Sequence, residues 1–152
     1  MNTFDLNKAG IIQAYTEGTS QQKKVLITLF GNEIIGNIIH RVKTVDDAFS
    51  IKGISRDSII LVSDTPDEIA YKEMKVVCEV LNEGWKPNFD NGNEKKWEPY
   101  FNMAGGFAFV GSFCVCSGAG TFLGSRLCYF SKEISDYAGV QFLSEYRKLL
   151  KL

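Results

Sequence analysis

The sequence predicts an α+β fold: several N-terminal helices, a small antiparallel β-sheet (a hairpin or meander), and a C-terminal helix packed on that sheet. Three observations carry this expectation. Helical periodicity with capping signals fills the first half of the chain. A charge-poor run rich in aromatics, glycine and β-branched residues follows. The chain then closes on one more amphipathic stripe.

In chain order, Phe4 to Tyr15 places Leu6, Ala9, Ile12 and Tyr15 on one side and reads as a short helix ended by TEGTS. Ser20 is the expected cap of a second helix that carries Val25, Leu26, Leu29 and Phe30 and stops at Gly31. Thr44 with Asp47 forms an acidic capping box that opens a helix through Phe49, ended by Gly53. Thr65, Pro66 and Glu68 supply an N-cap, a first-turn proline and a third-position carboxylate. The helix they start has the apolar line Ala70, Met74, Val77, Cys78 and Leu81, and Gly84 stops it. KPNFDNGNEKKWEP is a polar, turn-rich linker. Tyr100 to Phe130 suits strands, and Ser131 caps a last helix whose stripe is Ile134, Ala138, Phe142, Tyr146 and Leu149. The expected organisation is a single domain over 1–152: mainly helical 1–84, linker 85–99, β 100–130 and helix 131–152.

Charge and composition exclude some classes. With 17 basic and 18 acidic residues the net charge is −1, which disfavours nucleic acid as the partner of first choice. The basic pieces Lys23-Lys24, Lys95-Lys96 and Arg147-Lys148-Lys151 are scattered. The apolar runs are too short to span a bilayer, and no basic n-region leads into an apolar h-region, so no membrane partner and a cytoplasmic location are expected. The 4 cysteines then read as reduced thiols.

The stretch GSFCVCSGAGTFLGSRLCYF holds most of the candidate chemistry. Gly118, Gly120 and Gly124 imitate a dinucleotide loop, but SRLCYF after them reads as strand, where the phosphate-binding loop needs a helix. Cys114, Cys116 and Cys128 could share a face. The sole histidine, His40, is distant in sequence, so buried apolar thiols are expected and no metal site. DNGNE lacks the calcium-loop glutamate, since Phe101 stands at that position. No nucleophile motif is present, and an enzyme is disfavoured, with neither catalytic residues nor a cofactor expected. Between Trp97 and Phe130 nine aromatics accompany only two charges, Glu98 and Arg126. A sheet face with so little charge is expected to be buried in a ligand cleft or a homo-oligomer. Arg126 beside Gly124 and Ser125 offers an anion cradle, with Trp97 and Tyr100 as candidate stacking platforms. The alternative is an arginine paired with Glu98, Glu133 or Asp136.

LNEGWKPNFDNGNEKKWEPYF, a following GG flanked by aromatics, GSRLCYFSKEISDYAGVQFLSEY, and LFGNE with RVKTVDDAF together resemble a group of small proteins of Bacteroidales bacteria and their phages, to which no activity is attached. The resemblance implies a context, a phage or prophage accessory protein acting in the host cytoplasm. The functional expectation is therefore a non-enzymatic protein that binds a small nucleotide-like or anionic ligand, such as a host-defence signal. A single-stranded nucleic-acid binder and a virion or host-protein interaction module are the alternatives.

Overall fold

The computed structural model describes residues 8–31, 37–115 and 127–150. The chain divides into two compact units, Met1–Lys43 and Thr44–Leu152. The class is α+β, with N-terminal helices, a two-stranded antiparallel sheet and C-terminal helices. Among the described residues no helix is long and apolar enough to cross a membrane.

The first unit contains α1 (Lys8–Glu17), α2 (Ser20–Phe30) and the single turn α3 (Ile38–Arg41). The cap of α2 is Thr19, one residue before the position the sequence suggests. Its hydroxyl accepts from the Gln22 N–H while its own N–H donates to the Gln22 Oε1 at 2.8 Å. The expectation placed the cap at Ser20, but the reciprocal partner that decides a capping box stands three residues after Thr19. Gly31 closes α2, as predicted. His40 lies exposed in the last turn of α3.

The second unit starts with α4 (Val45–Lys52), where Thr44 and Asp47 form the predicted box and Gly53 is left-handed. A 3₁₀ turn at Arg56–Ser58 follows. Arg56 ion-pairs with Asp46 at 3.1 Å and with the buried Glu73 at 3.4 Å, tying that turn to α4 and to the long helix α5 (Pro66–Leu81). The Thr65 N–H donates to the Glu68 carboxylate at 2.8 Å at the start of α5. All five predicted apolar residues, Ala70, Met74, Val77, Cys78 and Leu81, are buried. Helix α5 packs on α4 and on the last helix of the chain.

Strand β1 (Lys96–Asn102) pairs with β2 (Ala108–Val115) in a hairpin, with Lys96 opposite Val115, Tyr100 opposite Gly111, and a bulge between Tyr100 and Phe101. The Asn102 side chain accepts from the Ala104 N–H at 2.9 Å and starts the turn. β1 therefore begins inside the stretch that composition marks as linker. The outer edge of β1 carries one further pair: the Trp97 N–H donates to the Tyr129 carbonyl at 2.9 Å and the Tyr129 N–H to the Trp97 carbonyl at 2.7 Å. Among the described residues the expected hairpin or meander takes the form of a hairpin with one added bridge, and 116–126 of that stretch lie outside them.

Ser131 caps α6 (Lys132–Gln141) as predicted, and α6 lies on the hairpin. The single closing helix of the prediction is two: Phe142, with φ −107° and ψ 31°, breaks it, and α7 (Leu143–Leu150) continues onto α5. Most of the predicted stripe survives the break, since Ile134, Ala138, Phe142 and Tyr146 are buried and Leu149 is half-buried. Phe101 stacks on Phe107 at 4.8 Å and meets Tyr146 at 4.8 Å, and the Tyr129 and Tyr146 hydroxyls share a hydrogen bond of 2.9 Å at the centre of this core.

Candidate functional site

Helix α5 ends in a way that builds a cavity. Asn82 is still helical, but Glu83 and Gly84 take positive φ values of 46° and 89°, and the chain reverses. The Trp85 N–H closes the reversal on the Asn82 carbonyl at 2.8 Å. Residues 85–89 then run back beside the helix, and between them lies a cleft of about 720 Å³. That volume suits a nucleotide-sized ligand.

The walls are apolar. Trp85, Pro87 and Phe89 form the loop side, and Cys78, Val80 and Cys128 the inner side. The polar atoms at the base are used up internally. The Asn82 amide donates to the Cys128 carbonyl at 2.9 Å and accepts from the Phe130 N–H at 3.1 Å, while the Cys78 thiol donates to the same Cys128 carbonyl at 3.3 Å. Burial pushes the Cys128 thiol up to about 11, and burial raises Cys78 further still, so both floor cysteines are neutral at physiological pH. Cys78, Cys114 and Cys128 form no disulfide among the described residues, and Cys116 lies outside them.

The rim is cationic. Lys52, Lys75 and Lys86 line it against one carboxylate, Glu79, which is ion-paired with Lys52. Lys75 lies over the Tyr71 ring at 5.9 Å, and neither Lys75 nor Lys86 has a carboxylate partner among the described residues. An apolar slot with unneutralised ammonium groups at its mouth selects a flat or apolar body that carries negative charge.

The loop wall is held by a buried clasp. Lys96, 1% exposed, donates to the carbonyls of Asn91 at 3.3 Å and Glu94 at 3.2 Å, and pairs with the Glu94 carboxylate at 3.2 Å. Its ammonium also lies 5.4 Å from the centre of the Phe89 ring. The Glu94 carboxylate accepts from the Asn88 N–H at 2.6 Å, and this hydrogen bond, with further ones from Lys96 and Trp85, outweighs burial and holds the carboxyl below its ordinary range. One carboxylate thus gathers both ends of the wall that presents Trp85 and Phe89.

Of the residues the sequence singles out, Gly124, Ser125 and Arg126 lie outside the described residues. Trp97 is half-buried and bridges to Tyr129, while Tyr100 is exposed against Phe113. Three positions apart on one strand, the two rings project from opposite faces, and neither lines the lysine-rimmed cavity. The cavity residues come from four places in the chain, which no linear motif could announce. The one legible hint was Trp85-Lys86-Pro87 with Phe89, two aromatics and a cation inside a segment otherwise polar. Comparison with protein-family models, curated proteins and solved structures finds no match.

Proposed function

We propose that this chain is a non-enzymatic binder of a small anionic, nucleotide-like ligand, held in the cavity between the end of α5 and the 85–89 loop. The observation that carries the reading is the combination of an apolar slot walled by Trp85 and Phe89 with Lys75 and Lys86 unneutralised at its mouth. A base or similar flat body would stack on the wall, and phosphate or carboxylate would meet the lysines. Sequestration suits such a site, because its floor presents neutral thiols and a fully engaged amide and no group poised to break a bond. The resemblance to phage and Bacteroidales proteins supports a host-defence signal as the ligand class. The test is calorimetric titration with a panel of mono-, di- and cyclic nucleotides. Saturable binding is expected, weakened about tenfold or more in the K75E/K86E double variant. Absence of binding by the folded protein across the panel overturns the reading. Loss of binding in R126A would add the Gly124, Ser125 and Arg126 segment to the site.

A second reading rests on the outer face of the hairpin, where Tyr100 and Phe113 meet edge-to-face at 4.9 Å and both stay exposed alongside Val110. This face supports association with a second copy or with a protein partner. Native mass spectrometry of wild type and F113K decides it: a dimer lost in the variant supports the homo-oligomer, and monomers throughout oppose it.

A further inference from the structure

A second, smaller cleft lies between α5, β1 and α7, with a volume of about 250 Å³. Tyr71, Phe101 and Tyr146 contribute aromatic rings to its lining, Leu149 and Leu150 the aliphatic side, and Glu98 the only ionisable carboxyl among the described residues. Glu98 is half-buried, and among the described residues it has no ion-pair or hydrogen-bond partner. A desolvated carboxylate without a partner is costly, and such groups are ordinarily matched by a cation. The Glu98 charge reaches the Tyr146 hydroxyl and the Cys128 thiol, both neutral at physiological pH because burial raises them.

We propose that this cleft is a binding site for a small organic ammonium ion, with the Glu98 carboxylate as counter-ion and the Tyr71, Phe101 and Tyr146 rings around an alkyl or methyl-bearing headgroup. Aromatic rings offer their negative faces to such cations, and the carboxylate supplies the charge-assisted hydrogen bond. The volume accommodates a headgroup with a short chain and falls below that of a typical whole-ligand pocket. The leucines favour an alkylated ammonium over a hydrated metal ion or free ammonium, whose water shell they could not replace. The cleft differs from the lysine-rimmed cavity in the sign of its charge, although Lys75 of that rim lies 5.9 Å over the Tyr71 ring, a neighbour that the two share.

The test is an NMR titration of the full chain with n-butylammonium chloride, with n-butanol as the neutral probe of nearly the same shape. Saturable shifts confined to the cleft are expected from the ammonium, with binding at least about tenfold weaker for butanol and for the shape-conserving E98Q variant. The Glu98 carboxyl is expected to titrate above the ordinary carboxylate range in the free protein and to fall when the cleft is occupied. K86E, in the other cavity, is expected to leave the affinity unchanged. Equal affinity for butanol and butylammonium, no saturable binding, or a ligand-free Glu98 that titrates at or below its ordinary value overturns the proposal. The last result would mean that a cation of the chain already occupies the carboxylate. If E98Q does not fold, the butanol comparison in the wild type decides alone.

Discussion

Gly139 shows how far a single missing methyl group sets the approach of two elements. It sits in the last turn of α6, where alanine would normally be favoured by up to about 1 kcal/mol. A Cβ there would fall well inside the van der Waals surface of the Phe109 ring and 3.1 Å from the Pro99 Cβ. The ring is wedged between helix and hairpin, so the clash forces either ring or helix to move. Overpacking of this kind costs about 1–3 kcal/mol, which exceeds the propensity gain. G139A is therefore expected to lower stability, read as a lower urea midpoint with an unchanged slope. Glu98 makes the complementary electrostatic case. Burial raises its folded-state pKa above the unfolded value, so the folded protein binds the proton more tightly. Its contribution is then most favourable below the unfolded pKa and is lost as pH rises through the raised folded value. E98Q, which removes the charge and keeps the shape, is expected to be more stable than wild type at pH 7 and to lose that advantage by about pH 4. Urea melts at the two pH values check it, and a gain that persists undiminished at the lower pH contradicts the assignment.

At the scale of elements, the informative joint is the one between α5 and the segment that precedes α6. Asn82 ends the helix and, through its side chain, holds both the Cys128 carbonyl and the Phe130 N–H. N82A would leave the Phe130 N–H without its partner and the Cys128 carbonyl with only the bond from the Cys78 thiol. At about 1–3 kcal/mol for a group left unsatisfied, a loss of that order in unfolding free energy is expected, together with faster amide exchange at Phe130 and Tyr129. The sequence makes the helices readable because their signals are local. Thr44 with Asp47, Thr65 with Pro66 and Glu68, and Ser131 each specify an end within four residues, and the spacing of Ala70, Met74, Val77, Cys78 and Leu81 specifies a face. The joint, the bridge between Trp97 and Tyr129, and the early start of β1 depend on pairings dozens of residues apart. Lys96 illustrates the limit: as one of two adjacent lysines it reads as solvated surface, yet it is buried because Glu94, two carbonyls and Phe89 converge on it. The break at Phe142 is hidden for the opposite reason, since the apolar stripe continues through it with unchanged spacing.

For the whole molecule, a net charge of −1 means that no overall field draws an anionic ligand in. Attraction must come from the local rim, where Lys75 and Lys86 lack carboxylate partners among the described residues while Lys52 is neutralised by Glu79. The exposed Lys86 and the half-buried Lys75 act over a distance comparable with the Debye length of about 8 Å at physiological ionic strength. Nucleotide affinity is therefore expected to fall as sodium chloride is raised from 50 to 500 mM, but only by about tenfold, because stacking on Trp85 and Phe89 is insensitive to salt. The K75E/K86E variant should show a flat or reversed salt profile, since the screened interaction is then absent or repulsive. Ligand binding also stabilises the folded chain in proportion to the logarithm of its concentration over Kd, so a thermal-shift series across the same salt range gives an independent reading. A steep loss of many orders of magnitude would instead indicate a long polyanion making many phosphate contacts, and would favour single-stranded nucleic acid over a small ligand.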